Sequence, residues 1–590
     1  MKSPNGAQAR AQSLAEAPTT SAPKASRLAK SKSGRESIES FVVVFVSFLI
    51  WSLEAEAFVI PTGSMAPTLM GRHKEIFCPE CGYRYTVNAD REVDSSGRGS
   101  STGRRVENGT CENCRFECAV ADTPSFTGDR IYVMKQGLSL PFLDDSKRVK
   151  LKRWEIAVFK LPEEPEVRYI KRLVGMPNEV IRVDRGDLWV RPLDQSQAFK
   201  RLRRPFEHQQ ATQMMVYDDA HRAKSLAALP EWRRWAAAAP AAWSEPSDGS
   251  FVPGTSATDW VELRYRHRVP SPTQWDAIRA ATSLQNRPAA SLITDYYSYN
   301  TDLVADDQNS PRFAARSWFQ PHWVGDLTLS LRLTTREPGG KLRLELVKAG
   351  ASNRCEIDLQ TGEAQLFHGG NALGDPGATP ISAKGNHEIV FANVDGRLTL
   401  EVDGRLTFDQ GREYNASLDP SGPTSADLEP ARISAKGASV QVSGLVLKRD
   451  IYYTLEPSES DYANLDWSAR NESSALFELL SDPARFSSLT HYQPREYPLG
   501  PGRYLMLGDN SPWSRDGRAW STSDQVTVGD PDHGWDHTGR QSWEVPEALL
   551  IGKAFCVYWP HPKPVWPALR FGADTRLPIL PYVEQMRWIR

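Results

Sequence analysis

The chain has almost no net charge: 71 Lys and Arg stand against 73 Asp and Glu, leaving −2 over 590 residues. No surface built to gather a polyanion is advertised, so nucleic acid is not expected as a partner. Long apolar runs are also lacking. Phe41 to Leu53 is the one membrane candidate, and with a mean hydropathy of −0.49 a multi-span membrane protein is excluded. Internal repetition is confined to two Val-Asp-Gly-Arg-Leu segments, at 394–398 and 402–406, too short for a solenoid. Finally, the serine turn Pro61-Thr62-Gly63-Ser64-Met65-Ala66-Pro67-Thr68-Leu69 has no histidine nearby. A nucleophile at Ser64 would need another base.

Length and texture divide the rest. A chain this long outgrows one core and implies three or four domains. Residues 1–36, rich in Ala, Ser, Pro, Lys and Arg without apolar periodicity, read as a disordered cytoplasmic tail. Residues 37–57 read as a transmembrane anchor, the thirteen apolar residues extending past Glu54 and Glu56 at headgroup level to approach the ~20 that a span needs. Lys24, Arg27, Lys30, Lys32 and Arg35 precede it and keep the N-terminus inside. The expected location is therefore the cytoplasmic membrane, single-pass, with the remaining chain on the outer face and lipid as a partner. A cleaved secretory signal ending at Ala55-Glu56-Ala57 fits less well, since cleavage there would leave Ser64 almost at a free end.

The candidate base lies 107 residues beyond Ser64 (171 − 64), in Val167-Arg168-Tyr169-Ile170-Lys171-Arg172-Leu173-Val174-Gly175-Met176-Pro177. A third block, Gly508-Asp509-Asn510-Ser511-Pro512-Trp513-Ser514-Arg515-Asp516-Gly517-Arg518, follows much later. An ordinary lysine is neutral in only about one molecule in a thousand at neutral pH. Lys171 serves as a base only if apolar neighbours desolvate it, and alternation along a strand makes Tyr169 and Leu173 those neighbours.

These three blocks, in this order, resemble bacterial type I signal peptidases, membrane-anchored proteases with a Ser/Lys dyad, over roughly residues 38–77, 119–197 and 495–560. The resemblance implies Ser64 as nucleophile and Lys171 as general base. It implies an oxyanion hole from the Ser64 N–H and the Thr62 hydroxyl, Ser514 orienting the lysine, and Asp516 with Arg518 as a bracing ion pair. Gly517 departs from the serine usual between them. Gly63 is expected to permit backbone angles that a β-carbon would resist. Asp509 and Asn510 read as turn-stabilising residues.

Insertions interrupt these blocks. Cys78-Pro79-Glu80-Cys81 and Cys111-Glu112-Asn113-Cys114 form two CxxC pairs with 29 residues between them, the pattern of a four-thiolate structural zinc site. An oxidising compartment would favour disulfides instead. Cys118 reads as a spare ligand, and Cys355 and Cys556 as buried free thiols. Residues 198–320 read as a helical or irregular insertion, with a helical stretch from Tyr217 to Ala239 carrying Trp232 and Trp235. From Trp323 the texture turns to period-two alternation, with Asp-Gly turns at 395–396 and 403–404. That pattern argues an antiparallel β-sandwich, which resembles concanavalin-like and laminin-G-like jelly rolls.

The expected fold class is thus mainly β. A signal-peptidase-like, β-rich catalytic fold is interrupted by a small CxxC/CxxC ribbon and an antiparallel sandwich, and is preceded by one transmembrane helix. The expected segments are catalytic parts at 58–77, 119–197 and 495–590, the ribbon at 78–118, the irregular insertion at 198–320, the sandwich at 321–455 and a linker at 456–494. The resemblance implies an endopeptidase that removes signal peptides from exported preproteins beside the protein translocation machinery, without a catalytic cofactor. Alternatives are an inactive peptidase scaffold acting as an envelope glycan- or protein-binding module, and a self-cleaving Ser/Lys protease.

Overall fold

The computed structural model describes residues 55–589 except 95–99, 136–149, 241, 255–257, 281–287, 305–319, 383, 415–421, 458–459, 466–472, 521–540 and short stretches between 561 and 585. The tail expected at 1–36 and most of the expected anchor lie outside the described residues. The single-pass topology is corrected: among the described residues no helix is long and apolar enough to cross a membrane. The last residues assigned to the anchor instead open an extended strand, Ala55–Val59, where Glu56 between two alanines suits an edge better than a buried helix.

From Ala57 onward the chain forms one compact unit, rich in β-strands. One sheet carries the three blocks that frame Ser64 and Lys171. Its strands run in the order Ala55–Val59, Arg130–Lys135, Leu550–Trp559, Ile156–Leu161, Glu164–Gly175, Arg503–Leu507, Glu544–Pro546. Segments distant in sequence thus become neighbours: Arg172 lies opposite Ile156 on one side and Leu507 on the other. A second, four-stranded sheet pairs Glu179–Asp184 with Arg495–Leu499. That pairing brings the return of the long insertion beside its departure, so the sheet that carries Lys171 tolerates some 300 intervening residues at little cost in loop entropy.

The insertion builds two antiparallel sheets over one apolar core. In Leu327–Thr335 the buried Leu327, Leu329, Leu331 and Leu333 alternate with Ser330 and exposed Arg332, the period expected of a strand covered on one face. Fully burying each such leucine contributes about 1.5–3 kcal/mol. Both Asp-Gly pairs form two-residue hairpin loops, with positive φ at Asp395 (53°), Gly396 (68°), Asp403 (51°) and Gly404 (76°). The left-handed pair matches the twist of the flanking strands.

Residues 198–320 differ from expectation. Tyr217–Ala239 contains only a four-residue α-helix, Lys224–Ala227, and a 3-10 turn, Pro230–Trp232, between the strands Met214–Asp218 and Trp235–Ala237. Met214–Asp218 joins the sheet edge at Val440–Arg449, and Trp235–Ala237 pairs with Val261–Tyr265 of the other sheet. Pro230 and the demand of both sheet edges for partners override local helix propensity. Residues 456–494 also hold more than a bare linker, since Ser473–Ser481 and Pro483–Ser487 are helical. Because Trp235 is 2% exposed within the sandwich core, Trp235→Ala should lower unfolding stability by about 3–5 kcal/mol. A urea transition monitored by fluorescence checks this, and a loss below about 1 kcal/mol would contradict the placement.

Candidate active site

Ser64 sits in a single 3-10 turn, Gly63–Met65. The turn is pinned by Met65 and Leu69, both fully buried in a cluster with Ile60, Ile131 and Val133, and closed by Ala66 N–H donating to Gly63 O at 3.0 Å. Gly63 does not have a positive φ. Its constraint is space: a β-carbon there would lie 2.1 Å from Cε1 of Tyr299.

Lys171 projects from Glu164–Gly175, opposite Ala157 of the neighbouring strand. Its Nζ donates to Ser64 Oγ at 2.7 Å and to Ile170 O at 3.0 Å. The Tyr169 ring centroid lies 5.0 Å from Nζ, and Trp520 packs edge-on to Phe159 beyond it. Burial pulls the Lys171 ammonium down to about 8, against Asp516 and Asp509, whose charges raise it. At that value about one lysine in ten is neutral at pH 7, a hundredfold or more above an ordinary lysine.

Two buried ion pairs occupy those carboxylates. Arg172 binds Asp509 through two bonds of 2.7 Å, and Thr68 donates to the same carboxylate at 2.5 Å. Arg518 binds Asp516 at 2.7 and 2.9 Å and also donates to Ser511 and Thr454. Burial alone would lift the Asp516 carboxyl, but Arg518 holds it below its ordinary value. Asp509 therefore closes an ion pair with Arg172 in addition to sitting in a turn. The sequence reading gave Arg172 no role, although alternation places it on the strand face opposite Lys171.

Ser514 is fully buried beside the dyad. Its Oγ occupies the space a side chain on Gly508 would need, 2.1 Å from an ideal β-carbon. Among the described residues it makes no hydrogen bond to Lys171; its hydroxyl lies instead toward the Asp516 carboxylate, which it helps to hold below the ordinary value. Thr62 is exposed at the mouth of the turn and makes no capping bond. Val59, 53% exposed, lies on the edge strand that leads into the site.

The four CxxC cysteines are buried free thiols whose sulfur atoms all lie within 4.8 Å of one another. Cys78 and Cys114, and Cys81 and Cys111, approach to 3.6 Å. A tetrahedron with Zn–S of about 2.3 Å has edges near 3.8 Å, so the donor set fits one structural metal ion. Cys118 is buried in the same cluster, Cys355 is fully buried, and Cys556 is only half-buried. A separate group, Asp187, Asp326 and Asp395, is met by Arg201 and Lys348 at 3.2 and 2.6 Å and reads as a charge-balanced cluster.

Comparison with known proteins agrees over part of the chain. Residues 35–236, which include Ser64 and Lys171 but not the Ser514 block, match the family described as signal peptidase, peptidase S26. Signal peptidase I of Pseudomonas fluorescens and of Pseudomonas aeruginosa are each 42% identical over 60 residues, 9% of this chain and 21% of theirs. The match thus spans about a fifth of the length of these curated relatives. Among solved structures, the carbohydrate-binding module CBM66 from Bacillus subtilis is similar at 10% identity and a TM-score of 0.21, covering 37% of this chain and 96% of that one. The galectin LEC-6 of Caenorhabditis elegans is similar at 15% and 0.16, covering 21% and 83%. Likeness at that level transfers no ligand.

Two outcomes are expected. Elemental analysis of the purified chain should give about one zinc per molecule, falling below 0.2 in Cys111→Ser; a zinc-free chain with reactive thiols would contradict the fit. Lys171 is also a stability liability. Its folded pKa of about 8 lies below its unfolded value, so between them the unfolded chain binds more protons, and stability rises as pH climbs from about 8 to about 10.4. Lys171→Met should therefore raise the thermal midpoint at pH 7, with a ceiling of about 3 kcal/mol, and the gain should shrink by pH 10. A gain independent of pH would contradict the depressed pKa.

Proposed function

We propose that the chain is a serine endopeptidase of the signal-peptidase type, acting through Ser64 and Lys171. The observation that carries this reading is the 2.7 Å contact from the buried Lys171 amine to the Ser64 hydroxyl.

The neutral amine takes the hydroxyl proton as Ser64 Oγ attacks the scissile carbonyl, and the resulting ammonium then protonates the departing amine. Water, deprotonated by the regenerated amine, hydrolyses the acyl-enzyme. The Ser64 N–H and the exposed Thr62 hydroxyl are the candidate donors to the oxyanion, each worth about 10²–10³ in rate. The edge strand with Phe58 and Val59 offers main-chain groups to an extended substrate. By resemblance, that substrate is an exported preprotein with small residues before the cut.

A second reading, an inactive peptidase scaffold serving as a binding module, draws on the 8% exposure of Ser64 and on the large sandwich that no step of the hydrolysis uses. A third, self-cleavage, needs no separate substrate.

One assay separates them. Incubation of the chain with a preprotein bearing an Ala-x-Ala site should give cleavage after the second alanine, at a rate that rises with pH through about 8. Activity should fall at least 10³-fold in Ser64→Ala and in Lys171→Ala. Undiminished cleavage by either variant removes the dyad. An inert wild type of unbroken mass supports the scaffold, and an intact-mass shift lost in Ser64→Ala supports self-cleavage.

A further inference from the structure

The segment Tyr296–Val304 belongs to the long insertion, yet it packs against the nucleophile turn. Tyr299, 1% exposed, fills the space beside Gly63 and donates through its hydroxyl to Arg72 O at 3.2 Å. Asn300, 5% exposed, forms a reciprocal amide pair with Asn510: Asn300 Nδ2 donates to Asn510 Oδ1 at 2.9 Å, and Asn510 Nδ2 donates to Asn300 Oδ1 at 2.8 Å. Asn510 in turn donates from Nδ2 to Gly63 O at 3.2 Å and from its backbone N–H to Ser64 O at 3.1 Å. The insertion thereby reaches the two carbonyls that bracket the serine.

The segment is itself fixed from its other side. Thr110 N–H donates to Thr301 Oγ1 at 3.0 Å and Tyr296 O–H to Thr110 O at 3.3 Å. Leu303–Val304 pairs with Val106–Thr110 next to the cysteine cluster. Arg115 stacks 3.3 Å from the Tyr296 ring centroid.

We infer that Asn300 and Tyr299 are positioning residues for Ser64, acting through Asn510 and Gly63; this rests on the peptidase reading. Chemistry restricts position 300. The Gly63 carbonyl accepts from Ala66 N–H with one lone pair, and its second lone pair can be met only by a donor, so Asn510 turns its Nδ2 toward it and leaves Oδ1 facing Asn300. Only a side chain offering a donor and an acceptor in one plane completes that pair. Aspartate would oppose two oxygens, and alanine would leave buried amide groups unpaired. Freed of the pair, Asn510 relaxes its hold on the turn, and a displacement of Ser64 of about 1 Å is enough to cost ~10² in rate. Substrate still meets the edge strand at Val59, so binding is spared.

The test compares full-length Asn300→Ala, Asn300→Asp and Ser64→Ala with the wild type on a synthetic peptide carrying an Ala-x-Ala site, alongside Asn386→Ala on the exposed face of the sandwich as control. Expected are a 10- to 100-fold fall in kcat for both Asn300 variants, KM within twofold, and unchanged kinetics for Asn386→Ala. Gly63→Ala should be inert because its β-carbon meets the Tyr299 ring, and Tyr299→Ala in the same chain should restore at least tenfold of that loss. If Ser64→Ala is inert while both Asn300 variants keep the wild-type kcat, or if Gly63→Ala is not rescued, the positioning role falls and the peptidase reading stands. An inert wild type, or a Ser64→Ala that still cleaves, overturns both.

Discussion

The constraint on which the site depends is the removal of one amine from water. A lysine left in solvent stays charged and is useless to a serine hydroxyl. Buried, with the Tyr169 ring centroid 5.0 Å from its amine, Lys171 meets Ser64 Oγ at 2.7 Å. The danger in such a pocket is a nearby carboxylate, which would recapture the proton as an ion pair. Two carboxylates do lie close, and each is claimed: Asp509 by Arg172 and Asp516 by Arg518. The carboxylates still raise the Lys171 pKa, and the positive charge of Arg518 offsets part of that rise. A balanced pair costs less to bury than a lone charge, although neither pair is expected to add much net stability.

The insertions are not merely hung on the outside of this arrangement. The strand Arg495–Leu499 returns the chain beside its point of exit, which leaves the sheet that carries Lys171 continuous. Thr454, at the end of the sandwich, accepts from Arg518 and so helps hold the loop that carries Ser514. Tyr299 and Asn300 reach the Ser64 turn, and Thr301 and Tyr296 tie the same segment to the cysteine cluster. Cysteine cluster, insertion and serine turn therefore share one network of packed side chains and buried hydrogen bonds.

Much of the site was legible in the sequence because its chemistry is carried by short blocks. Ser64, Lys171 and the Asp516–Arg518 segment announce themselves by residue type and order, and the structure gathers them around one point. The four cysteines are legible from spacing, and the sandwich from period-two alternation with Asp-Gly turns. What was not legible depends on long-range partners. Met214–Asp218 and Trp235–Ala237 have no strong alternation and become strands only because sheet edges are waiting for them. Gly63 looked like a conformational glycine, but its reason is the Tyr299 ring from 236 residues away (299 − 63). Asn300 carries no local signal at all. The anchor expected at 37–57 was read from composition, and its last residues instead form an extended edge strand.

The central claim is that Lys171 is held neutral enough to act, and a direct titration of that amine tests it. Heteronuclear NMR of the lysine side chains, with the Lys171 resonance assigned from its loss in Lys171→Met, should give an apparent pKa of about 8, and the resonance should move when Ser64 is replaced by alanine. A Lys171 resonance that titrates above 10, with no response to the loss of the serine, would contradict the account.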